Sequence, residues 1–305
     1  MARSFTIALA MAALSYPAGA FALDLPGPLV TTEWLARNQD SVRVLDVRND
    51  PTSFKEGGHI IGSVRVDYKN LRGVMPEAGV PVDGMSVSPE AFQDVMRKAG
   101  VSVDQPIVLT HRSRGPDDVG LATYLYWQLK RYGHDNVAIL DGGTTKWIAE
   151  SREVWGDDDE VQPGNFVVRP ERTELVTGTP AVEQTLQSKN LTLLDARLFE
   201  FFVGIEKRPN ILKFGHIPGA ASFPFNANLN PDLTFRNKDQ LAAAMTSVGF
   251  NPNQPVITYC NTGHVASISW FVIHELLGYK SASLYDGSML AWTKHGHDAQ
   301  STIPR

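Results

Sequence analysis

The run Pro255-Val-Ile-Thr-Tyr-Cys260-Asn-Thr-Gly-His264-Val-Ala-Ser267 fixes the fold class of this chain. A short β-branched strand ends at a cysteine, a compact loop with one glycine follows, and an apolar helical stretch continues from Ala266 to Leu277. A strand that hands over to a helix in this way belongs to an open α/β sheet, and such sheets bind ligands beyond the carboxyl ends of their strands. The sulfur is thereby aimed at the N–H groups of a helix N-terminus, where orphan donors and the helix dipole favour negative charge. A thiol so placed is a nucleophile. The alternative, a cysteine acting as a small buried hydrophobe, fits poorly between a strand end and a glycine turn.

Cys260 is the only cysteine in 305 residues. The chain can form no internal disulfide, and no cysteine-containing metal cluster is available to it. The first residues, Met1-Ala-Arg-Ser followed by an alanine-rich apolar stretch and Ala20-Phe21-Ala22, have the pattern of a signal peptide over 1–22, cleaved after Ala22. That apolar run is shorter than the roughly 20 residues of a spanning helix, so an exported, periplasmic protein is expected. Loss of the leader removes Arg3 from 28 basic residues and none of the 33 acidic ones, leaving a net charge of −6. Such a surface gives no electrostatic reason to expect nucleic acid or a membrane as partner.

The remaining chain is too long for one small core, and it is written twice. Val44-Leu45-Asp46-Val47-Arg48 resembles Leu193-Leu194-Asp195-Ala196-Arg197, and Gly58-His59-Ile60-Ile61-Gly62 resembles Gly215-His216-Ile217-Pro218-Gly219. Gln105-Pro106-Ile107-Val108 matches Gln254-Pro255-Val256-Ile257, and Asp141-Gly142-Gly143 with Trp147 matches Asp286-Gly287-Ser288 with Trp292. The order is kept throughout, which indicates a tandem duplication. The copies span 25–150 and 176–305, with 151–175 as an exposed linker. In each, strands (42–47 and 191–196, 137–140 and 281–285) alternate with amphipathic helices (89–98 and 238–247) and with the helices that follow the loop (119–129 and 266–277). Each copy is therefore expected to be an open, mostly parallel sheet flanked by helices.

The copies differ where chemistry is expected. His111 stands opposite Cys260, in a loop four residues longer that carries Asp117 and Asp118. With no thiol, and with two acids where an anion would have to be welcomed, the first copy reads as catalytically silent, a cover that shapes one wall of the cleft.

These motifs together resemble the tandem-domain rhodanese sulfurtransferases over nearly the whole chain after the leader. The resemblance implies two rhodanese-like domains of which the second is catalytic, with Cys260 as nucleophile. It further implies transfer of a sulfane sulfur from thiosulfate to cyanide or a thiol through a persulfide on Cys260, with no metal and no organic cofactor. The partners it implies are a small anionic sulfur donor and a thiol, cyanide or protein acceptor. The amides of Asn261, Thr262, Gly263, His264 and Val265 would cradle the persulfide. Arg197 would bind the donor anion, with Arg208, preferred over Lys207, as a second cation. An ion pair between Arg197 and Asp195 is an equal alternative, and Asp195 itself reads as a buried acceptor. His264 could be protonated beside the sulfur, acting near pH 6 to 7, or neutral and structural. His59, His216 and Trp292 read as structural. Many members carry a basic residue inside the loop. Asn261 and Thr262 stand here instead, which keeps 3-mercaptopyruvate open as donor.

A cysteine phosphatase would need an arginine six residues after the nucleophile to clamp phosphate. Ala266 occupies that position, and the phosphatase reading is set aside. A partner-specific persulfide carrier would require the same residues as the turnover enzyme.

Overall fold

The computed structural model describes residues 23–157, 160–188 and 191–303; the expected signal peptide lies outside them. In the first copy the strands are β1 (Leu29–Val30), β2 (Arg43–Arg48), β3 (His59–Ile60), β4 (Val64–Asp67), β5 (Arg72–Glu77), β6 (Val80–Ser86), β7 (Ile107–His111), β8 (Val137–Leu140) and β9 (Val154–Trp155). Its helices are α1 (Thr32–Asn38), α2 (Thr52–Lys55), α3 (Pro89–Lys98), α4 (Val119–Arg131) and α5 (Gly143–Ala149). The second copy has β10 (Val176–Thr177), β11 (Thr192–Asp195), β12 (Ala221–Ser222), β13 (Val256–Tyr259) and β14 (Ala282–Tyr285). They alternate with α6 (Thr179–Ser188), α7 (Phe199–Val203), α8 (Lys238–Ser247), α9 (Ala266–Phe271) and α10 (Ser288–Lys294).

The two main sheets run β1-β8-β7-β2-β4 and β10-β14-β13-β11-β12, the same order position for position. Every neighbouring pair in them is parallel. The duplication read from the sequence is thus a duplication of architecture. Local chemistry explains the helices. Ser88 caps α3 by accepting from the Ala91 amide, Pro89 opens it, and Phe92 and Met96 face inward one turn apart. Asn237 and Gln240 form a reciprocal capping box at α8, which buries Leu241 and Met245.

Paired motifs do the same work in both copies. His59 stacks on Phe54 with its Nδ1 3.1 Å from the Phe54 carbonyl oxygen, and His216 stacks on Phe202 with its Nδ1 2.7 Å from the Phe202 oxygen. Trp147 and Trp292 are both buried, each indole N–H donating to a backbone carbonyl six residues on.

Three local features depart from the sequence reading. The helix expected over 266–277 ends as regular α-helix at Phe271 and continues as a π-helical turn through Leu276, the Leu277 amide donating to Val272 O. The linker is largely exposed but is strapped to the first copy. Phe166 and Leu175 are buried, and the Phe166 and Arg169 amides donate to Val101 O and Tyr132 O. A β5–β6 hairpin was not foreseen, because Pro76 and Pro81 argue against strands and its turn is Ala78-Gly79. Both turn residues have positive φ, 46° and 85°, as a two-residue hairpin turn requires.

The copies pack through α4 and α9. Every residue from Val119 to Leu129 is buried, as is all of α9. A helix apolar on all faces must be covered on all faces; here one side meets its own sheet and the other meets the partner copy. Thr123 Oγ1 and Ser267 Oγ share a hydrogen bond of 2.6 Å across this contact, and the Tyr126 ring packs edge-on against Phe271. The N-termini of α4 and α9, and the loops that precede them, are thereby held side by side.

Candidate active site

Cys260 follows the last residue of β13 and is 2 % exposed, at the wall of a cavity of about 590 Å³ between the copies. The second copy contributes Arg197, Leu198, Phe201, Arg208 and the loop residues Asn261, Thr262, His264 and Val265 to the lining. The first copy contributes Arg72, Pro116 and Asp117.

The loop is held from below by Ser288. Its Oγ accepts from the amides of Cys260 and Gly263, both at 3.0 Å, and donates to Tyr285 O at 2.7 Å. Ser288 adopts φ of 51°, a left-handed conformation that disfavours a side chain, to reach both amides. Gly263 is required twice over, by φ of 78° and by the 2.4 Å that would separate a Cβ from Asp286 Oδ1. The expected amide ring is therefore corrected at one position. The Gly263 N–H is engaged by Ser288, whereas the amides of Asn261, Thr262, His264 and Val265 donate to no group among the described residues. The Asp286-Gly287-Ser288 motif does not by itself reveal this role of Ser288; the signal in the sequence is the serine in place of Gly143 of the first copy.

Arg197 lines the cavity, but its Nε and Nη2 grip the Asp195 carboxylate at 2.5 to 3.1 Å and Nη2 donates to Gly215 O. Arg48 makes the matching pair with Asp46 and donates to Gly58 O in the copy without a thiol. The ion-pair alternative for Asp-x-Arg thus describes both copies, and Arg197 reaches the cavity with its charge already partnered. Asp195 is the buried acceptor expected. Arg208 is exposed at the cavity rim with its guanidinium 5.8 Å from the Phe201 ring centroid. Lys207 turns instead toward the Phe214 ring.

His264 bridges the copies. Its Nε2 lies 2.9 Å from the Asp117 carbonyl oxygen, which can only accept, so Nε2 carries the proton. Nδ1 then accepts from Tyr68 Oη at 2.6 Å. Burial depresses its pKa to about 4 despite the Asp117 carbonyl, with the nearby Arg72 charge adding to the depression. His264 is neutral at pH 7, which corrects the reading of a cation acting near pH 6 to 7 and selects the structural alternative.

Chemically, the site presents one sulfur, free amides at a helix N-terminus and an excess of cationic side chains around a cavity with ample room for a small anion. The family model for the Rhodanese-like domain matches residues 31–150 and 179–295. A Saccharopolyspora erythraea protein named "Putative thiosulfate sulfurtransferase" is 31% identical over 276 residues, 88% of this chain and 92% of that one. The sulfur carrier protein TtuD of Thermus thermophilus is 31% identical over 279 residues, 88% of this chain and 94% of that one. Among solved structures, SseA of Escherichia coli, a 3-mercaptopyruvate sulfotransferase, superposes with a TM-score of 0.73 at 25% identity, covering 86% of this chain and 98% of its own. EanB in complex with ergothioneine reaches 0.80 at 22% identity, over 91% of this chain and 71% of that one, a likeness of fold alone. Two sheets of one strand order, two matches to one domain model and relatives aligned over most of their length place this chain in the rhodanese family of sulfurtransferases, as a tandem two-domain member.

Proposed function

We propose that the protein transfers a sulfane sulfur from thiosulfate to cyanide or a thiol through a persulfide on Cys260. The observation that carries this reading is the position of the single thiol, at the wall of a cationic cavity with uncommitted loop amides beside it. In the first half-reaction the Cys260 thiolate attacks the outer sulfur of thiosulfate. The sulfur–sulfur bond of the donor breaks, its electron pair leaves with sulfite, and Cys260 becomes a persulfide anion. In the second, cyanide attacks the terminal sulfur, thiocyanate departs and the thiolate is regenerated. The two steps share one site, so ping-pong kinetics are expected. The amides of Asn261, Thr262, His264 and Val265 supply donors aimed at the anionic sulfur. No step calls for a metal or an organic cofactor. The first copy carries no nucleophile and is silent in bond making, and the leader directs the protein to the periplasm.

A second reading, 3-mercaptopyruvate as donor, is favoured by the absence of arginine and lysine from the loop and by the likeness to SseA. A third, a carrier that delivers its persulfide to a protein, is favoured by the similarity to TtuD. Thiocyanate formation by the wild-type protein and by Cys260→Ser, with thiosulfate and mercaptopyruvate in parallel, separates them. Fast Cys260-dependent turnover from thiosulfate supports the first reading, and preference for mercaptopyruvate moves the assignment to the second. A stable persulfide with slow release to cyanide identifies the carrier.

A further inference from the structure

The cavity holds three arginines, and they are electrostatically unequal. Arg197 is neutralised at contact by Asp195, so its field is that of a pair and falls off quickly. Arg208 is exposed, and solvent and salt screen it. Arg72 is neither paired nor exposed. It stands at the start of β5, in the hairpin that the first copy extends over the second.

The hairpin is clasped at several points. Glu77 accepts from the Thr179 hydroxyl at 2.7 Å, the Ser86 amide donates to Asp286 at 2.8 Å, and Lys294 reaches Asp83 at 2.9 Å. From this base the Arg72 guanidinium projects under the Cys260 loop. Nε and Nη2 donate to Gly84 O, Nη2 also donates to Thr262 O inside the loop, and Nη1 donates to Tyr68 Oη at 3.0 Å. Its Cζ lies 5.4 and 5.0 Å from the ring centroids of Tyr68 and Tyr124. Every one of these acceptors is neutral, and no carboxylate among the described residues lies within ion-pair distance. Asp286, a carboxylate whose charge acts on it from beyond contact, is engaged by the Tyr124 hydroxyl and the Ser86 amide. Of the five guanidinium N–H groups, one on Nη1 has no acceptor among the described residues. The opposing charge on the rim is Asp117, whose carbonyl binds His264 and whose carboxylate Oδ1 lies against Gly115.

We propose that Arg72, supplied by the copy without a thiol, is the principal anion-binding group of the cavity and holds the sulfonate or carboxylate of the sulfur donor against Cys260. This rests on the sulfurtransferase reading above and extends it. The first copy then completes the active site rather than covering it. The basic residue that Asn261 and Thr262 fail to provide from within the loop arrives from the other domain. Attack of the Cys260 thiolate on thiosulfate gathers three negative charges, conserved as persulfide anion plus sulfite. A cation beside the loop is what that encounter requires.

The test uses the lone cysteine in the intact protein. Alkylation rates with iodoacetate, an anion, and iodoacetamide, its neutral counterpart, are measured at one pH, and their ratio is compared with that of a small free thiol. The wild-type ratio is expected to exceed the free-thiol ratio and to fall by about tenfold in Arg72→Met, the scale of one close unit charge in a partly desolvated site. Arg72→Lys should keep most of it, and Arg208→Met should change it less. A wild-type ratio no higher than the free thiol, an unchanged ratio in folded Arg72→Met, or loss in Arg72→Lys equal to that in Arg72→Met would overturn the proposal. Should Arg72→Met not fold, the wild-type and Arg72→Lys ratios decide. The ratio is read without sulfur transfer, so a protein inactive with both thiosulfate and mercaptopyruvate yet strongly iodoacetate-preferring would sink the sulfurtransferase reading and leave Arg72 as an anion site.

Discussion

At the carboxyl end of β7 stands His111, and at the same end of β13 stands Cys260, in sheets of identical strand order. Under the second loop, Ser288 gathers the Cys260 and Gly263 amides on one oxygen. Its counterpart Gly143 has no side chain and no room for one, since a Cβ there would lie 2.4 Å from His111 O. His111 instead turns its Nδ1 to Ser113 Oγ at 2.5 Å, and burial holds it neutral with a pKa of about 4. The longer first loop sends Asp117 to the other copy, where its carbonyl receives His264. One scaffold thus yields a loop that shapes its own pocket and a loop that serves its neighbour's. The difference lies in the strand-end residue and in whether a hydroxyl sits beneath the loop; the Asp-x-Arg pair, common to both, does not discriminate.

The largest effect that could break this comparison is an exchange of nucleophiles. Cys260→Ser is expected to reduce thiocyanate formation to the uncatalysed rate, and adding His111→Cys to that variant should restore nothing. Recovery of turnover in the double variant would show the first loop to be a competent site. Next in size is the hydroxyl under the loop. Ser288→Ala leaves two buried amides without their acceptor, about 1–3 kcal/mol of stability for each, and should lower kcat by about tenfold to a hundredfold through misplacement of the loop. Ser288→Gly should lose the same activity while recovering about 1 kcal/mol, because φ of 51° no longer opposes a side chain. Chemical denaturation and steady-state rates of the two variants check this, and equal stabilities would argue against strain at Ser288.

A smaller effect distinguishes the two copies by pH. The folded-state pKa of His111 and of His264 lies below the unfolded value, so the unfolded chain takes up their protons first. Stability contributed by keeping them neutral is full above about pH 6.5 and is lost as pH falls toward 4. For the fully buried His111 this amounts to at most about 3 kcal/mol. Asp141 works in the opposite sense: burial raises its pKa to about 6, so its contribution is present at low pH and is lost as pH rises through 6. Its carboxylate accepts from the Phe235 amide of the second copy at 2.9 Å, as Asp286 accepts from Ser86 in the first. Asp141→Asn should therefore steepen the acid loss of stability between pH 6 and 4, and His111→Gln should flatten it; melting temperatures across that range would expose an error in either sign.

The strand-ending cysteine, the doubled Asp-x-Arg and Gly-His motifs and the amphipathic helices α3 and α8 were legible in the sequence because each is a local pattern, and all but the cysteine recur at matching positions. What escaped it depends on contacts between distant residues. The Ala78-Gly79 hairpin lacks the usual turn pair and carries two prolines. Arg72 and Ser288 acquire their places only once the copies are folded and packed; Tyr68 and Asp117 of the other copy fix the tautomer of His264, and its burial between the copies keeps it neutral. The loop sequence announced the nucleophile, whereas the residues that hold and charge it come from elsewhere in the chain.

The central claim is that Cys260 carries the sulfur between donor and acceptor, and intact-mass analysis tests it most directly. After exposure to thiosulfate and removal of excess donor, the wild-type protein should be heavier by one sulfur atom, return to its starting mass on addition of cyanide, and release one thiocyanate; Cys260→Ser should show neither change. A wild-type mass unchanged by thiosulfate and by mercaptopyruvate, or a sulfur adduct that persists in Cys260→Ser, would contradict the account.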